Sequence, residues 1–115
     1  MSVFTADSTA LITGAASGIG LALAKHCFRN GMNVILVDLN SEALSAAESA
    51  LKSDSSASAK GSTLSVPMDV TSLPDWQSLK KTVAESYKSV ELLVLNAAIG
   101  IQGRSWGDDE YFRKV

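Results

Sequence analysis

Cysteine and histidine are nearly missing from this chain. Cys27 is the single cysteine and His26 the single histidine among 115 residues. One cysteine makes no disulfide framework, and one of each is too small a stock for a Cys/His metal site. An excess of positive charge is missing too. Ten Lys and Arg stand against twelve Asp and Glu, for a net charge of −2, and the pI is about 5.2. Nucleic acids and anionic membranes call for clustered Lys and Arg, so neither is the expected partner. The two basic pairs, Lys80–Lys81 and Arg113–Lys114, read as solvated helix faces. No apolar run reaches the length of a membrane-spanning helix. The opening "MSVFTADSTA" has no basic region followed by an apolar one, so it does not read as a secretory signal. A soluble, reducing, cytoplasmic setting is the expectation.

What is present is apolar material in a regular order. Apolar residues make up 46% of the chain, enough for the core of one domain spanning residues 1–115. Four short apolar runs predict strands: "ALIT" (10–13), "NVILVD" (33–38), "STLSVPM" (62–68) and "VELLVL" (90–95). Three lack clean alternation, as expected of strands covered on both faces. The third alternates more. Helical spacing fills the gaps. Gly20, Leu23, Ala24, Cys27 and Phe28 share one face, and Gly31 is placed to end that helix in a left-handed conformation. Leu44, Ala47 and Leu51 share a second face, with Asn40 or Ser41 as the cap. Trp76, Leu79, Val83 and Tyr87 share a third, with Pro74 in its first turn. A fourth helix is predicted to begin near Asp108. The Ser-rich stretch 53–62 reads as an exposed loop. Strand and helix alternate throughout, which implies a parallel α/β sheet built by crossovers.

The stretch "TGAASGIG" (13–20) falls between the first predicted strand and the first predicted helix. That context gives each glycine a task. Gly14 can make the tight turn off the strand. Gly18 lets backbone approach a diphosphate with no Cβ in the way. Gly20 lets the helix pack close to the sheet. The N–H groups around Ser17, Gly18 and Ile19 would then face an anion at a helix N-terminus. Asp38 ends the second strand 18 residues after Gly20. A dinucleotide-binding turn needs an acid about there to accept hydrogen bonds from the adenosine ribose. A carboxylate also repels a 2′-phosphate, and no Lys or Arg stands in the turn or directly after Asp38. The expected cofactor is therefore NAD in preference to NADP.

The spacing Gly-x-x-x-Gly-x-Gly resembles the cofactor turn of the short-chain dehydrogenases/reductases, whose pattern is T-G-x-x-x-G-I-G. "VDLN" (37–40), "MDV" (68–70) and "LLVLNAAIG" (92–100) resemble further stretches of that family in the same order. The resemblance implies a Rossmann-type doubly wound parallel sheet, here its N-terminal part with four strands. It implies an oxidoreductase moving hydride between a nicotinamide cofactor and an alcohol or carbonyl substrate, with a homo-oligomer as a compatible assembly. It places Asp69 and Val70 beside the adenine, and Asn96 and Ala97 where the fourth strand meets the cofactor. Leu95 stands where the family has a first Asn, and Ala98 where it has Gly.

The family's catalytic residues find no match. Tyr87 is followed four residues later by Glu91, and Tyr111 by Val115, so Tyr-x-x-x-Lys is absent. His26 sits off the apolar stripe and reads as surface; Cys27 sits on it and reads as core. Asp108, Asp109 and Glu110 read as a helix start. Trp106 suits a ligand border or plain loop packing. The chain thus reads as a cofactor-binding half, inactive alone. Two readings stay beside that one: a catalytically dead nucleotide-binding or interaction module, and a turn that binds nothing.

Overall fold

The computed structural model describes residues 6–54 and 61–96. In chain order the elements are β1 (Thr9–Thr13), α1 (Gly18–Arg29), β2 (Asn33–Asp38), α2 (Ser41–Lys52), β3 (Thr63–Pro67), α3 (Leu73–Ser86) and β4 (Leu92–Val94). The four strands form one sheet in the order β3-β2-β1-β4. Every neighbouring pair is parallel, with Leu11 opposite Ile35 and Leu93, and Ile35 opposite Leu64. The expected parallel α/β sheet is what forms.

The unalternating strands have a simple cause. Side chains along a strand point to opposite faces in turn, and here both faces are covered. Ala10, Ile12, Val34 and Leu36 pack with Ala24, Cys27 and Phe28 of α1 and with Leu44 and Leu51 of α2. Leu11, Ile35 and Val37 turn the other way and pack with Met68 and with Leu79, Trp76 and Val83 of α3. The sheet is therefore doubly wound, with α1 and α2 on one face and α3 on the other. β1 is buried along its whole length and β2 except at its two ends. β3, with one described neighbour, is only half-buried, which accounts for its more alternating sequence.

The helix ends follow local chemistry. Asn40 caps α2 by accepting from the Ala43 N–H at 3.0 Å. Ser72 does the same for α3 at the Asp75 N–H, and Pro74 sits in the first turn. Gly31 takes φ 82° just beyond α1, and its N–H donates to the Phe28 carbonyl. Cys27 is fully buried in the core, and burial pushes its thiol up to about 11. His26 is exposed.

Some bounds differ from expectation. β4 is Leu92–Val94 rather than 90–95, because it pairs with β1 only across Ala10–Ile12. Tyr87 caps the end of α3 in extended conformation instead of continuing it. The helix predicted near Asp108, with Trp106, Asp108, Asp109, Glu110 and Tyr111, lies outside the described residues, as do Ala97, Ala98 and most of the Ser-rich loop.

Candidate functional site

In a parallel sheet the strand ends of one sense lie along one edge. Here the C-terminal edge brings together Gly14 after β1, Asp38 at the end of β2, Asp69 after β3 and Asn96 after β4. These four were picked from separate stretches of sequence. The crossovers make them neighbours.

The turn from β1 into α1 is built on two left-handed glycines, Gly14 at φ 64° and Gly18 at φ 58°. Side chains strain in that region, and glycine does not. A Cβ at Gly18 would meet nothing within 4 Å. The backbone there fronts open space, the room an approaching phosphate needs. Gly20 is the opposite case. A Cβ there would lie 2.2 Å from the Gly14 carbonyl oxygen and 2.8 Å from Asn96 Nδ2. Helix α1 thus enters against β1 at a distance only glycine allows. Asn96 Nδ2 also donates to the Gly14 carbonyl at 3.4 Å, joining the end of β4 to the turn. One layer lower, Thr13 Oγ1 donates to the Val94 carbonyl.

Ser17 caps α1 in extended backbone and makes no side-chain capping bond, and the first turn holds no acidic residue. The leading N–H groups of α1, with the positive end of its dipole, suit an anion supplied from outside. Ser17, Gly18 and Ile19 are all exposed, Ile19 at 77%.

Asp38 lies against this turn. Its Oδ2 accepts from the Ala16 N–H at 3.1 Å, and its Oδ1 accepts from the Asn40 N–H at 3.3 Å. The backbone repeats the tie, since the Ala15 N–H donates to the Val37 carbonyl at 3.1 Å. Leu39, the next residue, is exposed.

Asp69 is exposed just beyond β3. Its Oδ1 accepts from both the Thr71 hydroxyl and the Thr71 N–H. These bonds, the hydroxyl first, hold its carboxyl below the usual range. The Asp69 N–H donates to Asp75, which fixes the loop to α3. Val70 packs on the α3 side of the sheet, and its carbonyl accepts from the Trp76 indole at 2.8 Å.

Sequence alone pointed to neither Ala16 nor Thr71, and it marked Asn40 only as a helix cap, not as a partner of Asp38. The bond to the Thr71 N–H was readable, because an Asp side chain commonly accepts from the backbone two residues on. The Ala16 contact crosses 22 residues and leaves no local signal. Tyr87 is placed far from this edge. Its hydroxyl pairs with Ser62, just before β3, near Asn33 at the start of β2. That is the opposite end of the strands.

The residues present fit a nicotinamide dinucleotide. An open left-handed glycine, a helix N-terminus with no side-chain cap bond and a carboxylate one strand away suit a diphosphate and a ribose diol in turn.

Comparison with known proteins gives a consistent result. The family model described as short chain dehydrogenase matches residues 8–115. A short chain dehydrogenase/reductase of Macrophomina phaseolina, dpmpG, is 40% identical over 94 residues, covering 82% of this chain and 51% of the relative. L-rhamnose 1-dehydrogenase (NAD(P)(+)) of Azotobacter vinelandii is 33% identical over 93 residues, covering 81% of this chain and 36% of the relative. Among solved structures, L-sorbose reductase of Gluconobacter frateurii, complexed with NADPH and L-sorbose, superposes with a TM-score of 0.77 at 28% identity, over 98% of this chain and 42% of that one. A short chain dehydrogenase/reductase of Burkholderia phymatum in complex with NAD gives 0.70 at 31% identity, over 81% and 31%. This chain therefore spans about half to a third of the length of these relatives.

Proposed function

The chain belongs to the short-chain dehydrogenase family, and from that premise we propose that it binds NAD(H) along the C-terminal edge of its sheet, as the cofactor half of an oxidoreductase. Ser17, Gly18 and Ile19 hold the diphosphate through backbone N–H groups, while Gly14 turns the chain off β1 and Gly20 lets α1 enter close beside it. Asp38 takes the adenosine ribose hydroxyls. Asp69 and Val70 border the adenine. Asn96, after β4, stands beside the cofactor, and the family resemblance assigns Ala97 the same role. When bound, the nicotinamide supplies a hydride acceptor or donor for an alcohol or carbonyl substrate. The residues named here bind and orient it. No described residue is assigned proton transfer, and Tyr87 points to the wrong end of the sheet for it. Alone, the 115 residues should bind cofactor without turning over a substrate.

The observation that carries the reading is Asp38, a carboxylate held against the glycine turn. Its carboxylate oxygens accept hydrogen bonds from the ribose hydroxyls and its charge disfavours a 2′-phosphate, which is the basis for choosing NAD over NADP. The test is a fluorescence titration of the chain with NADH and with NADPH. NADH should saturate, with NADPH weaker by about tenfold or more, a difference of about 1.4 kcal/mol. Equal affinities would remove the cofactor preference. No saturation by either at millimolar concentration would remove the binding role.

A further inference from the structure

We infer that Asp38 is also the positioning residue of the glycine turn: its carboxylate fixes the Ala16 backbone, so the ribose acceptor and the diphosphate cradle form one device. The inference rests on the cofactor reading above and deepens it.

The turn is soft by composition. Gly14 and Gly18 both sit in the left-handed region, and glycine visits many other conformations at little cost. Ala16 lies between them. Its N–H donates to Asp38 Oδ2 at 3.1 Å, directly after the Ala15 N–H donates to the Val37 carbonyl. Two successive residues of the turn are thus tied to the end of β2, one by backbone and one by the Asp38 side chain. Without the second tie, the segment between the two glycines has one anchor in place of two.

The same bonds leave the carboxylate suited to a diol. An ionised carboxylate offers about four acceptor positions, two on each oxygen. Ala16 occupies one on Oδ2 and Asn40 one on Oδ1. One remains on each oxygen, matching the two neighbouring hydroxyls of a ribose. The two N–H groups also hold the carboxylate in place. A 2′-phosphate would meet a fixed negative charge that could swing aside only by releasing Ala16. Discrimination against NADP therefore depends on the tie as well as on the charge.

Removing the side chain has two effects of opposite sign on NADPH: it relieves repulsion and it frees the turn. Asp38→Asn separates them. The amide loses the charge and, with its one acceptor oxygen turned to Ala16, keeps that tie while giving up the bond from the Asn40 N–H. The experiment compares the full chain with Asp38→Asn and Asp38→Ala, measuring affinity for NADH and NADPH and hydrogen exchange at the Ala16 amide. Exchange at Ala16 should be slow in the natural chain and in Asp38→Asn, and about tenfold faster or more in Asp38→Ala. Asp38→Asn should bind NADPH about tenfold tighter than Asp38→Ala does. Equal NADPH affinity in the two variants, or an Ala16 amide indifferent to Asp38→Ala, would overturn the positioning role. If the natural chain binds neither cofactor, the cofactor reading fails on its own. The Ala16 exchange rates would then still decide whether Asp38 holds the turn.

Discussion

A methyl group means different things at Gly18 and Gly20, two positions of one turn. At Gly20 it would strike the Gly14 carbonyl and Asn96, neither of which can yield without moving backbone or breaking the tie to β4. Gly20→Ala should therefore destabilise the fold by about 2 kcal/mol or more, as overpacked sites do. At Gly18 the methyl has room, and the cost is the left-handed backbone, about 1–2 kcal/mol. Gly18→Ala should remain folded and lose NADH affinity, because its methyl projects where the phosphate approaches. Denaturant unfolding and NADH titration of the two variants check this. Comparable stability losses with unchanged NADH affinity in Gly18→Ala would contradict the account. The close entry of α1 at Gly20 was legible in the sequence, because it follows from the strand–turn–helix context. The Asp38–Ala16 bond was not, since a backbone N–H carries no residue-type signal.

The secondary elements owe their legibility to burial. β1 and β2 are covered on both faces, so their sequences run apolar from end to end. α2 shows Asn40 at its cap and Leu44, Ala47 and Leu51 on its buried stripe. β4 was overextended in the sequence reading because "VELLVL" looks uniform, while pairing with β1 ends where Ile12 meets Val94. Glu91, at the edge of that run, has another task. Its carboxylate accepts from the Ser89 hydroxyl and from the Thr9 N–H, and these bonds, Ser89 first, hold its carboxyl below the usual range. It thereby joins the entry of β4 to the start of β1. A carboxyl with a depressed folded value favours the fold once ionised in both states, above about 4.5, and that contribution fades as pH falls through the folded value. Stability should thus decline on acidification through and below about pH 4.5, and Glu91→Gln should flatten part of that decline. Urea midpoints measured from pH 6 to pH 3 check this. Identical slopes in the two proteins would show that Glu91 does not make the tie.

At the scale of the whole molecule, the sheet is covered unevenly. The face under α1 and α2 is continuous. On the other face, α3 leaves an open apolar groove of about 410 Å³, lined by Leu11, Leu79, Val83, Tyr87, Val90 and Leu93 among others. Leu93 and Leu95 are more than half exposed, and β4 is the last strand of the sheet among the described residues. Apolar edge strands invite pairing with other chains. The 115-residue chain should therefore associate as its concentration rises, and Leu93→Lys with Leu95→Lys should reduce that association in sedimentation experiments. Unchanged association in the double variant would place the contact elsewhere. The parallel sheet was legible, because alternating strands and helices admit few arrangements, and the family resemblance implied its double winding. The groove was not, because it depends on how much of the sheet α3 covers. Among the described residues, no helix is long and apolar enough to cross a membrane.

The central claim is that one edge of this sheet is a cradle for NAD(H), and amide chemical-shift mapping during an NADH titration tests it most directly. The account predicts saturable shifts at Gly14 to Gly20, at Asp38, at Asp69 and Val70, and at Asn96. Shifts centred on Tyr87, Val90 and Leu93, or no saturable shift at all, would contradict it.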